Sequence, residues 1–350
     1  MERSQRERSR LADRAQPGGG DRAVRSGPAL RAPERAELTS SLPVALLERT
    51  LQATAGGLRI PDAVACVHRE PHSWASGIGT WSPDSAHYLW SLTKTVTAIL
   101  ILREVESGAL SLDRPLDGAP PFAAGVTVRQ MLDHTSGIPC CSSTPEYLAA
   151  VARAPSAPWS TARFLEHAAA QQASFPPGSG WRYSNTPYLL LRLALEARTG
   201  LSFADLVARD IAAPLGLDSM RVATGPSPGE AYDPGWVPTG VIRSTATEAA
   251  ALYRALFAGE FLSRESLDTM TAPTETGTQV PALDSVRYGL GLWIAETGGA
   301  VLQGHLGDGP GSCAVAFRDS ETEVTYAVIA NIEGASHAFD VLLALRAGLT

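Results

Sequence analysis

Residues 91–108 read SLTKTVTAILILREVESG, and the rest of the chain is read outward from this stretch. Leu92, Val96, Ile99, Leu100 and Val105 recur at helical spacing and Gly108 supplies a stop, which predicts a helix over 91–107. Ser91 opens that helix. Lys94 follows three residues later on the same face, within reach of the serine hydroxyl. Serine is a poor nucleophile until a neighbour takes its proton. Burial in so apolar a helix would lower the pKa of Lys94 and free its neutral amine. The helix N-terminus favours negative charge developing there. Taken alone, S-x-x-K is a weak signal and more often a capping serine followed by a solvated lysine.

The composition sharpens the choice. Of 29 basic residues 28 are arginine, and Lys94 is the only lysine in the chain. An arginine stays protonated at any working pH, whereas a desolvated lysine can act as a base. The one position that keeps lysine is therefore a candidate for a role arginine cannot fill.

Working outward, residues 43–55 have helical spacing ending at Gly56-Gly57, and Ile60–Val67 and Ser73–Thr80 read as two strands joined by a turn. Residues 110–240 read as helical segments broken by Pro/Gly loops, and Thr245–Ala258 as another helix. Residues 287–296, 300–305, 312–318 and 324–331 alternate like antiparallel strands, and 336–347 closes with a helix. The expected fold is an α/β (α+β) arrangement: an antiparallel sheet built from both chain ends, flanked by helices, with an inserted helical domain. The expected division is a disordered tail over 1–40 and one catalytic unit over 41–350. Its α/β part would take 41–110 and 241–350, and its helical part 111–240.

The first 40 residues hold nine arginines and six acidic residues without the apolar run of a secretory signal, which gives a cytoplasmic expectation. The remainder carries 20 basic and 30 acidic residues, a balance that would repel a polyanion and excludes nucleic acid as a partner. No apolar run is long enough to span a membrane, and no membrane partner is expected. Cys66, Cys140, Cys141 and Cys313 lack C-x-x-C spacing, pointing to a reducing compartment and no structural metal.

Two later clusters could join Ser91 and Lys94. Tyr183-Ser184-Asn185 lies between the turn-rich 176–180 and a helix start at Thr186-Pro187. Tyr183 could relay a proton if a nearby cation lowered its pKa, and Asn185 could hold Lys94 and a substrate carbonyl. On its own the triplet carries no signal and reads as a packing aromatic beside a turn asparagine. His305-Leu306-Gly307 sits in a glycine-rich strand, where a substrate backbone could approach closely. The Asp308 N–H would then be a second oxyanion donor beside the Ser91 N–H. A hairpin turn with an incidental histidine is the plainer account.

Together, S-x-x-K, Y-x-N and H-x-G, in that order and about 90 and 120 residues apart, resemble the serine β-lactamase/penicillin-binding-protein superfamily. The likeness is to its branch with class C β-lactamases, D-alanyl-D-alanine carboxypeptidases and related esterases. It extends through 108–113, 128–139, 199–217 and 288–293, and covers roughly 43–345. It implies a β-lactamase/transpeptidase-like fold with the cleft between the two parts. It implies catalysis by Ser91, Lys94 and Tyr183, an oxyanion site at the Ser91 and Asp308 amides, and substrate binding by Asn185, His305 and Gly307. No metal or organic cofactor is implied. The implied partner is a small-molecule or peptide ester or amide. The third motif has histidine where β-lactamases commonly have lysine, which puts β-lactam hydrolysis in doubt. His134, Cys140 and Cys141 are read as structural or rim residues. The readings carried forward are an esterase or D-amino-acid peptidase, a cytosolic peptidyl transferase or cyclase acting on a carrier-bound peptide, a β-lactamase, and a non-catalytic sensor.

Overall fold

The computed structural model describes residues 44–226 and 231–348. The tail expected over 1–40 lies outside them.

The sheet has eight strands: β1 (Ala63–Arg69), β2 (His72–Ile78), β6 (Thr274–Glu275), β7 (Ser285–Tyr288), β8 (Trp293–Thr297), β9 (Ala300–Gly309), β10 (Ser312–Asp319) and β11 (Thr325–Ala330). Their order is β2-β1-β11-β10-β9-β8-β7-β6, every neighbouring pair antiparallel. Both chain ends therefore meet at β1–β11, as the strand pattern at the two ends required. A second small sheet joins β3 (His87–Tyr88), β5 (Ile242–Ser244) and β4 (Arg221–Val222).

The period-two alternation sorts side chains onto two faces. Val315, Phe317 and Val328 pack with Leu47 and Leu51 of α1 (Val44–Leu58) on one face. Val64, Cys66, Ala314, Ala316, Ala327 and Ile329 share the other with α2 (Thr93–Glu106). The helices between are α3 (Val128–Leu132), α4 (Pro145–Arg153), α5 (Thr161–Ala169), α6 (Thr186–Thr199), α7 (Phe203–Val207) and α8 (Ala213–Leu215). They are followed by α9 (Ala246–Phe257), α10 (Arg264–Met270) and, on the α1 side of the sheet, α11 (Ala335–Ala347). The alanine-rich α9 lies against β1, β10 and β11, since small side chains allow close approach.

Two expectations shift in detail. The first helix runs through Gly56-Gly57 and stops at Arg59, whose φ of 59° lets the Ile60 N–H reach the Ala55 carbonyl. The strand expected over 287–296 is two strands, because Gly291 turns the chain at φ 76° to meet α2. A Cβ there would lie 2.6 Å from the Ala98 Cβ.

Helix α2 is the hub. Residues Thr93 to Leu102 are all buried, so the helix is enclosed on every side. Its threonines are satisfied internally. Thr93 Oγ1 accepts the Ile242 N–H at 3.0 Å and Thr95 Oγ1 donates to the Gly291 carbonyl at 2.8 Å.

Candidate active site

Ser91 lies on the 3-10 turn Trp90–Leu92 that leads into α2. Trp90 holds a left-handed φ of 48°, a genuine outlier for so bulky a residue. Its surroundings over-determine that conformation. The indole N–H donates to Ser312 Oγ at 3.0 Å, and the ring packs on Tyr88 and Tyr232. Strand β9 closes the other side. A Cβ on Gly307 would come within 2.8 Å of the Ser91 nitrogen and of the Trp90 Cβ, and nearer still to the Leu89 carbonyl. Only glycine lets this strand approach the nucleophile turn.

Lys94 is 1% exposed, and its Nζ lies 3.0 Å from Ser91 Oγ. The solvated-lysine reading of the motif is thereby excluded. Nζ sits 4.9 Å from the Tyr183 ring centre and 5.6 Å from that of Tyr188. Burial pushes its pKa down from 10.5 to about 7. Tyr183 hydrogen-bonds Ser91, yet burial raises its phenol above 10. No cation lowers its pKa as the relay reading asked; desolvation dominates, so Tyr183 stays a protonated phenol and can enter a relay only by giving its proton away.

His305, on β9, is fully buried. Its Nδ1 lies 2.6 Å from the Leu306 carbonyl, which can only accept, so the proton is on Nδ1. Nε2 then accepts from the Tyr288 hydroxyl at 2.9 Å. Burial and Lys94 together lower the His305 pKa to about 3. His305, expected to orient substrate, is here a neutral ring whose two nitrogens contact Tyr288 and the Leu306 carbonyl. At Asn185, Nδ2 donates to Ser142 Oγ at 2.7 Å, and the buried Oδ1 has no hydrogen-bond partner among the described residues.

Pairing of β9 with β8 ends at Gly304–Trp293, so residues 305–309 pair only with β10. Pro310-Gly311 form a two-residue turn, so Gly309–Ser312 and Gly307–Ala314 are the hydrogen-bonded pairs. Leu306 and Asp308 therefore turn their N–H and C=O groups toward the open edge. The Asp308 side chain points away and accepts the Gly334 N–H at 2.7 Å.

Residues 47–349 match the family described as Beta-lactamase. The chain belongs to that family. It is similar to Penicillin-binding protein 4* of Bacillus subtilis, 26% identical over 300 residues, 71% of this chain and 61% of that protein. Esterase EstB of Burkholderia gladioli is 31% identical over 151 residues, 38% of each chain. A D-stereospecific amidohydrolase from Streptomyces superposes with a TM-score of 0.78 at 27% identity, covering 87% of this chain and 98% of that one. The chain spans about two fifths to three fifths of the curated relatives it matches first. Its architecture is that of a serine hydrolase of the β-lactamase/penicillin-binding-protein type.

In this Beta-lactamase-family site several residues do more than the sequence disclosed. His134, read as structural or rim, is fully buried at φ 65° and organises Tyr183. Its carbonyl accepts the Arg182 N–H at 3.0 Å and its Nδ1 accepts the Ser184 N–H at 3.3 Å, bracketing Tyr183 on both sides. Its ring centre lies 4.3 Å from that of Tyr183. Cys140 and Cys141 support the same loop. Cys140 Sγ accepts the Asn185 N–H at 3.4 Å, and the Cys141 N–H donates to Thr186 Oγ1 at 2.9 Å. Tyr288, Trp181 and Trp293 complete an aromatic wall. The only sequence signal for these residues was their place in family-like segments.

Among the described residues no helix is long and apolar enough to cross a membrane.

Proposed function

We propose that this chain hydrolyses or transfers acyl groups of esters and amides through an acyl-Ser91 intermediate, on small or peptide substrates built on D-configured amino acids. The observation that carries the reading is a buried lysine with a pKa near 7 placed 3.0 Å from a serine hydroxyl. Neutral Lys94 accepts the Ser91 proton as Oγ attacks the carbonyl carbon. The N–H of Ser91, in the first turn where helix donors lack intrahelical acceptors, and that of Asp308 stabilise the oxyanion. Tyr183, held protonated, gives its proton to the leaving group and is reprotonated from Lys94. Asn185 Oδ1 accepts an N–H from the substrate, and Gly307 keeps the strand close enough for the oxyanion amides to converge. Water, an amine or an alcohol then releases the acyl group. The likeness to a D-stereospecific amidohydrolase supports the substrate class. The four free thiols, three of them buried, suit a reducing compartment, and the cytoplasm is the proposed location.

The test is a fluorophosphonate probe followed by peptide mapping, with single-turnover acylation by an activated ester in wild type and Lys94→Arg. Ser91 should carry the label. The arginine variant should acylate about 10²–10⁴-fold more slowly, the usual worth of a general base. A label on another serine, or a folded Lys94→Arg protein acylating at the wild-type rate, would overturn the reading.

A further inference from the structure

Resting on that hydrolase reading, we propose that the cleft is built for an uncharged leaving group and discriminates against one bearing a carboxylate. The leaving group must sit where Tyr183 can protonate it, so the surroundings of Tyr183 define what it meets. Those surroundings are aromatic. Trp293 stacks on Tyr183 at 6.2 Å with rings 11° apart, and Trp181 meets Trp293 edge-on at 5.6 Å. Tyr288 closes the wall 5.0 Å from Trp293. Trp293 itself faces Gly304, one residue before the open edge of β9 begins.

The rings around Tyr183 among the described residues are uncharged. His305 is neutral, and its one ring proton is committed to the Leu306 carbonyl. His134 is buried and neutral, its Nδ1 taken by the Ser184 N–H; its Nε2–H and the indole N–H groups of Trp181 and Trp293 have no partner among the described residues, so the wall offers neutral donors but no counter-charge. Lys94 acts on both His134 and His305, holding each further toward its neutral form. Arginines close along the chain are directed elsewhere: Arg182 to Ser174, Arg129 to Asp113 and Arg192 to Glu196. Among the described residues Lys94 is the cation beside Ser91, and it acts only when neutral. A carboxylate beside it would raise its pKa and hold it protonated, disabling the base. The same carboxylate would exchange water for aromatic surface without a counter-charge.

The experiment uses the full chain at pH 8.5, where Lys94 is neutral. Two phenyl esters of one N-acyl-D-amino acid are compared: one whose phenol carries a meta carboxylate, and one in which that carboxylate is a methyl ester. Each kcat/KM is divided by the hydroxide-catalysed rate of the same compound, which removes intrinsic reactivity. The neutral ester should be favoured by about tenfold or more, the scale of one charge-assisted hydrogen bond left unmade. Equal ratios, or a preference for the carboxylate ester, would overturn the inference while leaving the hydrolase reading intact. Failure of a fluorophosphonate to label Ser91 would strike the hydrolase reading instead.

Discussion

Replacing Lys94 with methionine should make the protein more stable and inactive. The ammonium pKa falls from 10.5 to about 7 on folding because the group is buried without a counter-charge. Each tenfold change in proton affinity is worth ~1.4 kcal/mol, so holding Lys94 charged in the fold costs about 5 kcal/mol. Methionine matches its unbranched shape without the charge. It forgoes the contact with Ser91, worth about 1 kcal/mol. The net gain should depend on pH in a defined direction. Below about 7 the folded protein must carry the buried charge, and the cost is complete. Between about 7 and 10.5 the folded lysine is neutral while the unfolded one still binds a proton, so the cost shrinks as pH rises. Above 10.5 both are neutral and it is gone. Lys94→Met should therefore gain roughly 4 kcal/mol at pH 6 and lose about 1 kcal/mol at pH 11, where only the missing Ser91 contact counts, read from urea unfolding at both pH values. Wild-type acylation should climb as pH passes through about 7, and the variant should show no such limb. A variant less stable than wild type at pH 6, or a gain independent of pH, would refute the reasoning.

Two further substitutions probe the frame around the nucleophile. Gly307→Ala would set a Cβ 2.8 Å from the Ser91 nitrogen, against backbone that has little room to retreat. A loss of about 1–3 kcal/mol in stability is expected. Acylation should slow by about 10²-fold as the oxyanion donors separate, and unchanged acylation in a folded variant would show that the strand is loosely held. Tyr288→Phe would leave His305 Nε2 buried without a donor, at a cost of about 1–3 kcal/mol by chemical denaturation. Nitrogen NMR of the imidazole should show the Nδ1–H tautomer in wild type; the opposite tautomer would break the assigned chain of hydrogen bonds.

The sheet and its helices were legible because their patterns are long. The alternation in 312–318 and 324–331 lets one strand carry Ala314 and Ala316 to one face and Val315 and Phe317 to the other. Strands β3, β4 and β6 are two residues each, too short to display a period, and were not anticipated. The break at Gly289-Leu290-Gly291 escaped notice because its cause is tertiary: the chain turns there to meet Ala98, far away in sequence. Ser91 and Lys94 could be singled out because their relation is local, fixed by one helical turn. His134 could not, since its role depends on a loop some 50 residues on. The protonation states of Tyr183 and His305 were hidden for a related reason. Each is decided by burial, which a motif does not record.

The arrangement of neutral groups around Lys94 also bears on what the chain is for. A carboxylate beside Lys94 would stabilise the buried cation and remove most of the cost worked out above, but it would also fix the proton. The residues facing Nζ are instead phenols and imidazoles held uncharged by burial. The strained turn at Trp90 adds to the destabilisation, and it serves to set Ser91 against β9. A ligand sensor with this fold would gain nothing from either feature, since binding requires neither a proton acceptor nor a strained hydroxyl. Structural cost concentrated on one serine and one lysine is intelligible if the lysine takes the serine's proton in the reaction. The pH-dependent stability of Lys94→Met measures that cost directly, independently of any substrate.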